Sequence, residues 1–273
     1  MDDIFMLCEK VTEKEISYLK GEYLANIKYD GCRVMSFIKN GEVVMLNRRG
    51  KIVNFHFKEI ENELKTLPTC ILDGEIISYD NQFEKLQRRA LTTDKFKQEQ
   101  LTKEIPCYYM VFDILSNGEA FLQKLTLKKR IEELKLLFSP LSFSYLKLCE
   151  YNSIDEMLKQ AREMKGEGII IKDMNGIYET RRSKSWLKLK FFQEQQITIT
   201  KYTLNNAGIR AEDNEGNVVQ ISGRQSYPIK QKLDKGEQVE IFVQYLTKSE
   251  EGRMRFISYR GLAKELNTSK SNN

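Results

Sequence analysis

Along the first 190 positions, apolar residues follow two different spacings, and the switches between them mark out the elements. Alternation of period two predicts strands at "EYLANI" (22–27), "CRVMSFI" (32–38) and "EVVMLN" (42–47). Asn40-Gly41 joins the last two as a two-residue hairpin. "TCILDGEIISY" (69–79) reads as two strands broken at Asp73-Gly74, and "PCYYMVFDIL" (106–115) as one buried strand. "GIIIK" (168–172) and "SWLKLKF" (185–191) are strands again. Helical spacing appears in "FHFKEIENELKTL" (55–67), "LKKRIEELKLLF" (127–138) and "SIDEMLKQAREMKGEG" (153–168). In the third of these Ser153 is the expected N-cap, with Gly166 near the end.

From about residue 191 the pattern becomes short β-runs separated by polar turns: "QQITITKYTL", "AGIRAED", "NVVQIS", "EQVEIFVQYL" and "RMRFISYRG". One helical stretch is expected around 229–235. Five such strands in so short a segment predict a small all-β barrel of the OB type. The predicted class is therefore α+β: a first domain of antiparallel sheets and helices over 1–190, then a barrel over 191–266. Residues 267–273, "NTSKSNN", are too polar to be expected to order.

Composition narrows the chemistry. The net charge of +5, from 44 basic and 39 acidic residues, permits a polyanionic partner without demanding one. Five scattered cysteines without a C-x-x-C pair argue against a disulfide framework or zinc ribbon and for a reducing, cytoplasmic setting. No apolar run is long enough for a membrane span. His56 is the only histidine and lies beside aromatics at an expected helix start, which favours a structural role over Ser-His-Asp chemistry or a histidine-rich metal site. Catalysis would rest on Lys, Arg, Asp and Glu, with a hard, oxygen-ligated metal.

Candidates for that chemistry recur in order. "KYDGCR" places Lys28 and Arg33 around an Asp30-Gly31 turn, where Lys28 is either a solvated turn lysine or a nucleophile. "NRRG" supplies Arg48, "LDGE" Glu75, "FDIL" Phe112 and "EGIIIK" Glu167 and Lys172. In "WLKLK", Lys188 and Lys190 alternate with leucines and share one strand face. Two adjacent ammonium groups repel unless an anion sits between them, as at a phosphate site.

This ordered series, with "FEKLQRR" (83–89) between the third and fourth members, resembles the ATP-dependent DNA ligases. These belong to the lysine nucleotidyltransferases, with RNA ligases and mRNA capping enzymes. The resemblance spans 28–190 and implies a fold of nucleotidyltransferase domain plus OB barrel. It implies that Lys28 attacks the α-phosphorus of ATP, releases pyrophosphate and carries AMP as a phosphoramide. Ile27, Arg33, Arg48, Glu75, Phe112, Lys188 and Lys190 are then implied as nucleotide-binding. Phe112 would stack on adenine, and Lys188 and Lys190 would hold the α-phosphate. Arg33 and Arg48 would bind the ribose and later, with Arg182, the 5′-phosphate of a nick. Glu75 and Glu167 would serve Mg²⁺ or Mn²⁺. A looser match in "GRMRFISYRGLAK" implies Arg255, Arg260 and Lys264 as a pyrophosphate-orienting motif. The implied partner is nicked duplex DNA, engaged by a monomer. Two positions depart from the family pattern: Asn26 stands where glutamate is usual, and Asn47 replaces a hydroxyl residue. An RNA ligase or capping enzyme, and a non-catalytic nucleic-acid-binding module, remain the competing readings.

Overall fold

The Asn40-Gly41 turn, with both residues at positive φ, closes the first hairpin as its two-residue length requires. A computed structural model describes residues 4–118, 120–249 and 251–263. The chain divides into two compact units between Leu189 and Lys190.

The first unit begins with β1 (Leu7–Lys10), α1 (Glu13–Ile16), β2 (Tyr23–Ile27), β3 (Cys32–Lys39), β4 (Glu42–Asn47), α2 (Lys58–Leu64) and β5 (Cys70–Ser78). It continues through α3 (Phe83–Leu91), α4 (Lys95–Glu104), β6 (Cys107–Ser116), α5 (Leu127–Phe138) and β7 (Leu146–Leu148). α6 (Ile154–Glu163), β8 (Gly168–Asp173) and β9 (Arg182–Lys190) complete it. Two sheets result, a four-stranded one ordered β1-β9-β8-β2 and a five-stranded one ordered β4-β3-β5-β6-β7.

Neither sheet is purely antiparallel, which corrects the sequence expectation. β1 pairs with β9, and β6 with β7, in parallel. Both partners, β1 and β7, are short edge strands of four and three residues. A second correction concerns Asp73-Gly74. This pair does not end a strand; β5 runs straight through it, with its register against β6 shifting there. Gly74 serves packing: a Cβ would meet the Tyr109 ring at 2.5 Å and the Met110 carbonyl at 2.7 Å.

One hydrophobic core lies under the five-stranded sheet, where Val34, Leu72, Tyr109 and Val111 meet Phe57, Ile60 and Leu64 of the α2 region. A second joins the two sheets: Met35 and Phe112 come from one, Trp186 from the other, and Phe5, Met6 and Tyr178 complete it. Phe112 is part of this second core, and the Arg33 side chain lies against it. Ser153 caps α6 through the Glu156 amide, as its position predicts.

The second unit contains β10 (Gln193–Asn205), β11 (Gly208–Asp213), β12 (Val218–Ser222), α7 (Ser226–Asp234), β13 (Val239–Tyr245), β14 (Thr247–Lys248), β15 (Met254–Arg255) and β16 (Ser258–Leu262). Five of the strands form an antiparallel sheet ordered β12-β11-β10-β13-β16 around a core of Ile199, Ile209, Val219, Ile229, Ile241 and Val243. The edge strands β12 and β16 approach within 8 Å between Cα atoms, so the sheet curls toward closure. α7 starts three residues before the expected helix. Lys264 and the tail 267–273 lie outside the described residues. Among the described residues no helix is long and apolar enough to cross a membrane.

Candidate active site

Lys28 follows the last residue of β2, and strand register decides what it meets. Antiparallel pairing of Ile27 with Ile169 carries the Lys28 amide onto the Gly168 carbonyl, at 3.0 Å. The residue before Gly168 is Glu167, 3 % exposed, and its carboxylate forms an ion pair with the Lys28 ammonium. Residues 139 apart in sequence are thus brought together by one strand pair.

The turn that follows is held tight by Gly31, where a Cβ would lie 2.2 Å from the Ile76 carbonyl oxygen. That close approach lets β3 pair with β5 from Cys32 onward and sets Arg33 opposite Glu75. The Arg33 side chain turns to Asp73, which accepts from Nε at 3.0 Å and Nη2 at 2.6 Å. Nη1 donates to the Met6 carbonyl at 2.7 Å and Nη2 also to the Tyr178 hydroxyl at 3.4 Å. Tyr178 in turn donates to Asp73, at 2.7 Å. Four of the five guanidinium N–H groups are therefore engaged. The group also lies 5.0–5.4 Å from the ring centres of Phe5, Phe112 and Trp186.

Ile27, Lys28, Arg33, Arg48, Glu75, Phe112, Arg182 and Lys188 all line one cleft of about 500 Å³ within the first unit. Arg48 is exposed in the turn after β4. Asn47 shapes that turn by accepting from the Arg49 and Lys51 amides at 2.9 and 3.1 Å, so the departure from a hydroxyl residue still organises the loop. Glu167 reaches the cleft through Lys28. Lys190, the last residue of β9, falls on the second unit's side of the division, as do Arg255 and Arg260.

The cleft also contains residues to which the sequence assigns no role there. Lys172 is 1 % exposed, with its Nζ 3.9 Å from the Trp186 ring centre and 4.4 Å from that of Phe112. It donates to the Tyr151 hydroxyl at 2.6 Å, and Tyr151 donates to the Phe112 carbonyl at 2.7 Å. α3 forms a further wall through Phe83, Leu86 and Gln87. Asn26 lines the cleft too: its Nδ2 donates to the Ile27 carbonyl at 2.8 Å, while its buried Oδ1 has no protein partner. Such an orphaned acceptor is suited to a donor group on a ligand.

The electrostatics match a polyanion site. Burial lowers the Lys188 ammonium from its ordinary value, Cys8 opposes that, and the charges of Arg182, Lys28 and Lys10 add to it. Burial also brings Lys172 down to about 8, against the pull of Asp113. Glu75 is pushed up to about 7, chiefly by burial, with Lys28 and Arg33 opposing. Between pH 4.5 and about 7 the unfolded chain therefore releases this proton before the folded one, and Glu75 takes stability away as pH rises. Urea midpoints at pH 5 and pH 8 should show Glu75→Gln gaining on the parent at the higher pH. Equal changes in both proteins would show that this carboxyl titrates normally.

The family model described as ATP dependent DNA ligase domain matches residues 5–190. The chain belongs to that family. Among curated relatives of this ligase-family chain, the bifunctional non-homologous end joining protein LigD of Bacillus subtilis is 32% identical over 208 residues. That match takes in 68% of this chain and 34% of LigD. A Pseudomonas aeruginosa multifunctional LigD is 30% identical over 195 residues, covering 67% of this chain and 22% of that protein. The chain thus spans about a third or less of these relatives' length. In overall fold it is similar to a solved structure of Lig E DNA ligases, with a TM-score of 0.71 at 16% identity over 96% of this chain and 100% of that one. The ligase domain of Mycobacterium tuberculosis LigD gives a TM-score of 0.59 at 21% identity, covering 96% and 95% of the two chains.

Proposed function

We propose that this ligase-family chain seals nicks in duplex DNA at the expense of ATP, through AMP carried on Lys28. The observation that carries the reading is the seating of the Lys28 amine, paired with Glu167, in a cleft lined by Arg33, Arg48, Lys172, Arg182 and Lys188. ATP fits this lining: its triphosphate matches the cations, and the adenine amino group matches the orphaned Asn26 Oδ1.

In the first step the Lys28 nitrogen attacks the α-phosphorus, the bond to the β-phosphate breaks, pyrophosphate leaves and the amine loses its proton. The 5′-phosphate of a nick then displaces Lys28 and takes AMP. Finally the adjacent 3′-hydroxyl attacks that phosphate, and AMP departs. These displacements depend on alignment and charge neutralisation more than on a strong base, which suits a cleft without histidine. Lys188 meets the α-phosphate charge, Phe112 supports the base, and exposed Arg48 and Arg182 reach the nick phosphate. Arg33, with one N–H left, acts there mainly by its charge.

Among the described residues no three His, Cys, Asp or Glu side chains gather as a metal cage. Two carboxylates, Glu75 and Glu167, suit Mg²⁺, which keeps water and phosphate as its other ligands. Bound there, the ion would neutralise charge on the phosphates. Glu167 holds the Lys28 amine through Oε2, and a cation at that oxygen would compete with the amine for it.

The reading extends to the second unit as an OB barrel, supported by its five-stranded curled sheet, with the domain border at 190/191. It describes a monomer in the cytoplasm, consistent with five unpaired cysteines. The test is incubation with α-labelled ATP or GTP, then a nicked duplex with DNA or RNA beside the nick. Label from ATP and sealed DNA are expected. Label from GTP alone, or sealing confined to RNA, would overturn the reading.

A further inference from the structure

Phe256 sits in the bend between β15 and β16 with φ +56°, a left-handed conformation that a bulky side chain adopts only at a cost. Glycine or asparagine would fill such a corner without strain. The surrounding structure compels the conformation. On one side, buried Met254 receives the Asn217 side-chain oxygen on its amide at 2.7 Å, and the Arg255 carbonyl accepts from the Leu246 amide at 3.0 Å. On the other, Ile257 packs on the core of the second unit. With both flanks anchored, the Phe256 ring is turned outward and is 53 % exposed.

Two cations accompany the ring. Lys190 Nζ lies 5.1 Å from its centre and the Arg255 guanidinium carbon 5.2 Å. The surface thus sets two cations within 5.2 Å of the centre of one half-exposed apolar ring. One strand of duplex DNA presents the complementary groups along its edge, phosphates and apolar deoxyribose faces.

We infer that Phe256 is a DNA-docking residue, its ring packed against a backbone sugar while Lys190 and Arg255 take the flanking phosphates. The inference deepens the proposed reading, since it rests on duplex DNA being the substrate. A residue held under backbone strain with half its surface exposed fits a binding role better than a packing one, because the ring joins no buried core in exchange. The contact fixes position along the strand without reading sequence.

The test uses the full chain and a nicked DNA duplex, with binding followed by fluorescence anisotropy. Phe256→Gly removes the ring and relieves the φ +56° strain, so Tm should not fall. Affinity for the nicked duplex should drop about tenfold. The salt slope should stay unchanged, because no charge is lost. Self-labelling with AMP should also be unchanged, and Phe256→Tyr, which keeps a ring, should bind as the parent does. Parent-like binding by Phe256→Gly, or a loss of binding that tracks a lowered Tm, would overturn the inference. Should the parent take no label from ATP, the ligase reading fails separately, while the binding comparison still judges Phe256.

Discussion

Lys28→Ala is expected to abolish transfer of AMP from labelled ATP to the protein, with a loss of at least about 10⁴-fold, as for other removed nucleophiles. The substitution leaves the strand in place, because the Lys28 amide, which bonds to the Gly168 carbonyl, is untouched. It does strand Glu167, a nearly buried carboxylate, without its cation. Lys28→Met with Glu167→Gln removes both charges and serves as the folded control. Both proteins should show a parent-like circular dichroism spectrum and carry no label. Labelled protein from either would place the nucleophile elsewhere and remove the basis of the proposed mechanism.

Asp113→Ala should give the largest loss of stability, about 3–5 kcal/mol. Asp113 and Arg130 are both fully buried and joined by two hydrogen bonds, at 2.8 and 3.0 Å. Arg130 also donates to the carbonyls of Leu125 and Gly176, at 2.6 and 3.3 Å. The pair therefore ties β6, α5 and the segment after β8 to one point next to Phe112. Removing the carboxylate leaves a buried guanidinium without its counter-charge. Urea denaturation followed by circular dichroism would measure the effect. A shift under about 1 kcal/mol would mean that water reaches the site once the carboxylate is gone.

How legible this was in the sequence varied with the range of the interaction. Strands β3 and β4 and their turn are local, and alternation with Asn40-Gly41 suffices to find them. α4 is different. Its "KFKQEQLTKE" has two apolar residues, Phe96 is 82 % exposed, and the helix buries Gln98 beside Leu101, so no apolar stripe announces it. The Asp73-Gly74 pair looks like a turn because turns use those residues. Here Gly74 makes room for Tyr109, and Asp73 serves as the counter-ion of Arg33.

The cleft shows the same division. Most of the residues that line it stand in motifs legible in the sequence, since each motif is local. The Asp73–Tyr178 hold on Arg33 and the aromatic surround of Lys172 join elements far apart in the chain, and neither has a local signature. Lys172 is a candidate by its motif, yet the role of a lysine in an apolar strand is not legible until the rings around it are placed. Lys190 alternates with Lys188 along β9, and its Nζ also lies over the Phe256 ring, a pairing with no local signature.

Trp186 is the chain's one tryptophan. It is 2 % exposed, within 3.9 Å of an ammonium nitrogen and part of the cleft lining. Its indole emission therefore comes from a single known place, next to a charge that must respond when anything anionic enters. The molecule can be titrated by its own light, without a label, at the spot where its chemistry is proposed to begin.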